Sequence, residues 1–176
     1  MTGVQTCALP ISLDAMREGL LQFGGVDRRF QRLCDVAGVT IVDDYAHHPT
    51  EIVATLQAAR ASYPGRRVVA AFQPHLFSRT RDFSDAFGEA LRGADSVFLA
   101  EIYPAREQPI PGVTSELVAS SMIRAGRPVV WQGARTDLAD ALTQFVRDGD
   151  VVITMGAGDI TRTGPELKAR LEQRAK

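Results

Sequence analysis

Two hydrophobic periods alternate along the chain from Arg29 to the C-terminus. Val68–Phe72, Val97–Ala100 and Val151–Met155 are short runs of almost wholly apolar residues, the pattern of strands buried on both faces of a parallel sheet. "RFQRLCDVAG" (29–38) predicts a first strand and turn; "VTIVDDYA" (39–46) and "RPVVWQ" (127–132) are strand-like. Between these runs lie segments with apolar residues at helical spacing: "PTEIVATLQAARASY" behind an N1 proline, Pro49, then "TRDFSDAFGEALRGA" (80–94), "TSELVASSMIRAG" (114–126), "TDLADALTQFVRDG" (136–149) and "GPELKARLEQRA" (164–175). The third opens on Thr114–Ser115–Glu116, a pattern close to a capping box. Strands and helices in turn predict an α/β fold. We expect a doubly wound, mostly parallel sheet of about six strands with helices on both faces.

The N-terminal stretch reads differently. Leu13, Met16, Leu20 and Phe23 fall at helical spacing, and Gly24–Gly25 stops that helix. Its apolar stripe has only a short stub of chain before it, so we expect the end of a preceding unit followed by a hinge. Met1–Ile11 matches what a short-read sequencing adapter yields on translation, with a GTG start read as Met; a disordered tail is the alternative. The expected division is therefore 1–12 as adapter or tail, 13–28 as helix and linker, and 29–176 as the α/β domain.

Composition narrows the function classes. The chain has 176 residues, 45% hydrophobic and 23% charged, with a net charge of −1. That balance suits a soluble globular domain and argues against nucleic acid or an anionic membrane as partner. No apolar run reaches transmembrane length, and the start lacks the basic and apolar regions of a signal peptide. Cys7 and Cys34 form no metal or redox motif; a disulfide between them lacks support, and the chain reads as cytoplasmic.

In doubly wound sheets ligands bind beyond the carboxyl ends of the strands, and four polar clusters follow predicted strands. Asp43–His48 offers carboxylates for ribose hydroxyls or a metal-bound water, Tyr45 for an aromatic base and His47 for a phosphate oxygen; helix capping by the acids is the simpler reading. Gln73–Arg81 contains His75, Arg79 and Arg81, suited to carboxylate or phosphate, or else to a surface pair with Asp82 or Asp85. Glu101–Gln108 brings Glu101, Arg106 and Glu107 to order an amine, or to decorate a proline-stiffened loop. Gly156–Asp159 offers backbone N–H groups, or a plain glycine turn. No phosphate loop of the form G-x-x-x-x-G-K-[ST], complete G-x-G-x-x-G, G-x-S-x-G elbow, HExxH or paired CxxC is present. A rim of acids, histidines and arginines without a triphosphate cradle suggests half of a site.

"DDYAHHPTEI", "FQPHLFSRTRDF", "PAREQPIPGVTS" and "MGAGDIT" together, in this order, resemble the C-terminal domain of the Mur ligases. The likeness runs from about Leu13 to the C-terminus and is nearest to the members that join L-alanine to UDP-N-acetylmuramate in peptidoglycan synthesis. It implies a Rossmann-like C-terminal domain of a three-domain, ATP-dependent amide-bond-forming ligase. Such an enzyme passes through an acyl phosphate, with Mg2+ held mainly by the central domain and no metal ligand here. It further implies that 13–28 is the last central-domain helix plus linker, and that the chain alone is inactive. By motif, Asp44, Tyr45 and His47 would face the nucleotide and the reacting phosphate. His75 and Arg79 would face the L-alanine carboxylate or acyl-phosphate region, and Glu107 the amino-acid end; His47, His75 and Arg79 would be catalytic. The sequence departs from some relatives in carrying Leu76 where they carry arginine. The alternatives are a ligase that attaches a whole tripeptide to the same UDP-sugar, and a free-standing nucleotide- or amino-acid-binding module. The latter expects a well-packed Leu13–Phe23 helix.

Overall fold

The computed structural model describes residues 12–174; the adapter-or-tail reading at 1–11 and Cys7 lie outside the described residues. Its centre is a six-stranded sheet in the order β1-β2-β6-β3-β4-β5. The strands are β1 Gln31–Val36, β2 Val39–Asp44, β3 Val68–Phe72, β4 Ser96–Ala100, β5 Trp131–Gly133 and β6 Val151–Met155. β2 to β6 pair in parallel, and β1 runs antiparallel at the edge. β1 is joined to β2 through Ala37 and Gly38, both at positive φ (48° and 75°), the backbone of a two-residue I′ hairpin. A Cβ on Gly38 would also displace the exposed Asp148 carboxylate, but the positive φ is what favours glycine there.

The helices are α1 Leu13–Gln22, α2 Pro49–Ser62, α3 Phe77–Leu91, α4 Glu116–Arg124, α5 Arg135–Phe145 and α6 Thr163–Arg174. Two buried layers flank the sheet. Val42, Ile52, Leu56, Phe72, Phe87 and Met122 pack beneath α2, α3 and α4; Ile41, Phe98, Leu138, Leu142, Ile160 and Leu167 pack beneath α5 and α6. β2, β3, β4 and β6 are buried almost end to end, as strands covered on both faces must be.

Connectivity fixes where a ligand can enter. The chain passes from β2 over the place of β6 to β3, continues to β4 and β5, and returns through α5 to insert β6 between β2 and β3. Helices leaving β2 and β3 lie on one face and α6, leaving β6, on the other, so the loops diverge on both sides of β6. That divergence opens the crevice in which doubly wound sheets bind ligands.

Four expectations change in detail. Helix α3 starts at Phe77 rather than Thr80, and α5 ends at Phe145 rather than at Gly149. β5 covers only Trp131–Gly133, because Gly126 (φ 74°) and Arg127 close α4 with N–H groups donated to Ile123 O and Met122 O, a Schellman end that uses up the first residues of the expected strand. The capping box at Thr114–Glu116 does not form: Ser115 makes no side-chain cap, and Thr114 Oγ1 accepts the Glu116 N–H at 3.2 Å. The box is found instead at α2, where His48 Nδ1 accepts from Thr50 N at 3.4 Å and Glu51 Oε2 from His48 N at 3.1 Å.

Helix α1 stands apart. Ser12 caps it through Ala15 N, yet it buries no residue, and Leu13, Leu20, Leu21 and Phe23 are 62% to 84% exposed. Cys34 is a half-buried free thiol whose pKa burial pushes up. No helix among the described residues is long and apolar enough to cross a membrane.

Candidate functional site

The loop leaving β2 is organised by its two aspartates. Asp43, 1% exposed, accepts from Thr154 Oγ1 (2.5 Å), Thr161 Oγ1 (3.0 Å) and Arg28 Nε (3.0 Å). Asp44, 6% exposed, accepts Phe30 N on one oxygen and Ala46 N on the other, each at 2.7 Å. Both carboxylates are thus engaged by the protein, and they bend the backbone so that Tyr45 and His47 emerge at the rim. Tyr45 is covered by the guanidinium groups of Arg28 (4.9 Å) and Arg29 (5.6 Å). Arg28 also donates to Gly156 O at 2.5 Å, joining the residues before β1 to both loops of the crevice.

His47 Nδ1 lies 3.0 Å from Tyr45 O and 3.2 Å from Glu51 Oε2. Both are acceptors, so Nδ1 carries the proton and Nε2 is left for a ligand. Burial alone would raise the Glu51 carboxyl; the His47 and His48 N–H groups and the His47 ring hold it below its ordinary value.

Across the crevice, the loop after β3 presents His75 and Arg79. The rings of Tyr45, His47, His75 and Tyr103 form a row, with centroids 5.0, 6.1 and 5.7 Å apart, crossing the carboxyl ends of β2, β3 and β4. Both His75 Nδ1 and Arg79 Nη1 are buried without a hydrogen-bond partner. Orphaned polar atoms of this kind are rare in folded proteins, and a guanidinium nitrogen among them fits an anion. The His75 pKa is lowered, first by burial, then by the Arg79 and His47 charges, with Glu107 opposing.

The remaining expected residues are distributed as follows. Glu107 sits at the first turn of α3, where Ser78 N donates to it at 2.9 Å and Ser78 Oγ donates to its other oxygen; these bonds hold its carboxyl below the usual range. Arg81 pairs with Asp82 at 2.7 Å on the surface, the simpler of its two readings, and Glu101 and Arg106 are exposed. Gln73 is 3% exposed and ties the glycine turn to β3, donating to Asp159 Oδ1 and accepting from Ile160 N. A Cβ on Gly156 (φ 149°) would stand 2.8 Å from Gln73 O, so that turn is shaped for close backbone approach. Among the described residues no group of three or more His, Cys, Asp or Glu could hold a metal ion.

Arg28, Tyr103 and Ser78 were missed by sequence reasoning. Arg28 lies 15 residues before Asp43 and 128 before Gly156, and no periodicity links such distances. Tyr103 did carry a signal, as an aromatic residue inside one of the polar clusters.

Residues 28–158 match the family described as Mur ligase, glutamate ligase domain. Curated relatives include the UDP-N-acetylmuramate–L-alanine ligase of Cutibacterium acnes, 54% identical over 168 residues, covering 95% of this chain and 36% of that protein. The enzyme of that name from Anaeromyxobacter sp. is 50% identical, covering 92% and 35%. Among solved structures, UDP-N-acetylmuramate–alanine ligase from Thermotoga maritima superposes with a TM-score of 0.78 at 27% identity, over 94% of this chain and 34% of that one. A murein peptide ligase from Psychrobacter arcticus, TM-score 0.70 at 22% identity over 93% of this chain and 34% of that one, shares the fold. The chain spans about a third of the length of the curated relatives it matches. By the match over most of its length and by its fold, the chain belongs to the Mur ligase family, of which it carries the C-terminal, glutamate ligase domain.

Proposed function

We propose that this chain forms the C-terminal wall of the active site in an ATP-dependent ligase joining L-alanine to UDP-N-acetylmuramate for peptidoglycan synthesis. The observation that carries the site assignment is the pair of buried, partnerless atoms His75 Nδ1 and Arg79 Nη1 at the crevice. The 54% identity to an L-alanine ligase supports the choice of substrate.

ATP would supply the phosphoryl group that turns the sugar carboxylate into an acyl phosphate. Within this chain, Arg79 supplies fixed positive charge for the carboxylate of the incoming amino acid or for the acyl-phosphate oxygens. His75, biased to the neutral form by burial and by Arg79, can hold or pass a proton at neutral pH. His47 offers Nε2 to the nucleotide end because Nδ1 is already committed. Asp44 acts by holding the loop that carries Tyr45 and His47. Glu107 has both oxygens on Ser78 and acts on the amino-acid end through α3.

We further assign 13–28 as the last helix of a central ATPase domain plus the linker. The exposed stripe of α1 supports this division, and the module reading with its well-packed helix loses ground. Domain closure over the crevice would then complete the site and exclude water.

The test is a chimera in which residues 13–176 replace the homologous third of the Cutibacterium acnes ligase. We expect UDP-N-acetylmuramoyl-L-alanine to form, the 176-residue chain alone to form none, and Arg79→Ala in the chimera to lower kcat/KM by roughly 100-fold or more. A chimera that uses a tripeptide in place of L-alanine would move the assignment to the recycling ligase. Activity that survives Arg79→Ala intact would remove Arg79 from the site.

A further inference from the structure

The backbone between β3 and α3 is strained where the proposed chemistry needs it firm. Leu76, between His75 and the first turn of α3, has φ 72°, a left-handed conformation uncommon for a residue with a branched side chain. As the N-cap of α3 it makes no side-chain cap, and the first turn contains no acidic residue. A helix with such a start leaves its first N–H groups unpaired and its dipole unanswered.

The loop after β4 supplies what the local sequence lacks. Tyr103 N donates to Pro74 O at 2.8 Å, and Leu76 N donates to Tyr103 O at 3.0 Å, so a single residue bridges both flanks of His75. The Tyr103 ring stacks on the His75 imidazole at an interplanar angle of 15°. Four residues on, Glu107 accepts Ser78 N and Ser78 Oγ, a carboxylate at the second residue of α3. From a loop 29 residues away it performs the task of an N-cap side chain. The turn is itself tight: Ala105 has φ 50°, and Glu107 N donates to Pro104 O.

We propose that residues 103–107 are a splint for the His75–Arg79 segment, in which Glu107 is a positioning residue that caps α3 from outside and Tyr103 fixes the His75 ring. This deepens the functional reading, on which the importance of His75 and Arg79 rests, and gives Glu107 a role through Ser78 rather than through substrate. The splint also fixes a sign. Among the groups facing His75, Arg79 and His47 oppose its protonation and Glu107 favours it, so neutralising Glu107 makes His75 harder to protonate.

The test uses the 176-residue chain with no ligand: amide hydrogen exchange along α3, and the His75 ring titration by NMR. In Glu107→Ala we expect Ser78 and Arg79 amides to exchange roughly tenfold faster, the loss of one cap, with β3 and the second half of α3 unchanged. In Glu107→Gln, which keeps an acceptor without the charge, most Ser78 protection stays while the His75 midpoint moves down. This variant also serves if Glu107→Ala fails to fold. Tyr103→Leu should leave Ser78 protected and free the His75 ring, seen as rotamer averaging in its side-chain couplings. Unchanged Ser78 exchange in Glu107→Ala, or a His75 midpoint that stays or rises in Glu107→Gln, overturns the proposal. Because neither readout involves nucleotide or amino acid, a failed splint and a failed ligase assignment remain distinguishable: the latter fails only in the chimera.

Discussion

At the scale of single residues, charge placement explains more than residue type. Asp43 and Asp44 are adjacent acids in a histidine-rich loop, yet their oxygens are occupied by Arg28, Thr154, Thr161 and two backbone N–H groups. A strand-like run places both at a strand end, but it cannot count their hydrogen bonds. His75 yields a testable pH dependence. Its folded pKa lies below the ordinary histidine value of about 6.5 because burial and the neighbouring Arg79 penalise the charge. Below that value the unfolded chain takes up a proton that the folded chain resists. Its contribution to stability is therefore complete above about pH 6.5 and declines as pH falls towards the folded value. Urea unfolding over that interval should show less decline in His75→Gln than in the parent chain; equal slopes would mean His75 is not the group responsible. Glu107 acts in a lower window: its depressed carboxyl stabilises above the ordinary glutamate value, and the gain is lost as pH falls through the folded one.

At the scale of elements, the boundaries that the sequence misplaces are those set from a distance. β3 and β6 match their apolar runs residue for residue, since a strand buried on both faces declares itself by composition alone. α3 begins three residues before the expected Thr80 because Glu107 caps it from another loop. β5 shrinks because a Schellman end at Gly126 takes its opening residues. The glycine turn after β6 was legible as a turn but not in its purpose, which is close packing. A Cβ on Gly158 would stand 2.5 Å from Tyr103 Cγ and 2.6 Å from Gln73 Oε1. Gly158→Ala must therefore displace the Tyr103 side chain or break the Gln73 tie. We expect a loss of about 1–3 kcal/mol in denaturant unfolding, typical of overpacking; a loss under about 0.5 kcal/mol would show that the turn yields freely.

At the scale of the whole molecule, the unequal burial of the two ends is the main fact. The sheet and helices α2 to α6 enclose two continuous apolar layers, whereas α1 turns its leucines and Phe23 to solvent. Glutamate at both Leu20 and Leu21 should change the unfolding free energy of this chain by no more than about 0.5 kcal/mol, as surface substitutions do. In the chimera the same pair should destabilise, because there the stripe has a domain to cover. A large loss in the isolated chain would mean that α1 packs against the sheet domain after all. Arg28 ties the residues before β1 to the crevice, through Asp43 and Gly156.

The fold class, the number of strands, their burial and the rim on which polar clusters gather were determined by the sequence itself, because periodicity and local composition carry them. The four motifs that mark the family were equally legible. Only the tertiary structure decided that β6 inserts between β2 and β3, that His47, His75 and Tyr103 align into one row of rings, that the aspartates are internal braces, and that Glu107 serves α3. Each of these rests on contacts between residues far apart in the chain, whose energies depend on distance and direction in space. A one-dimensional pattern contains neither.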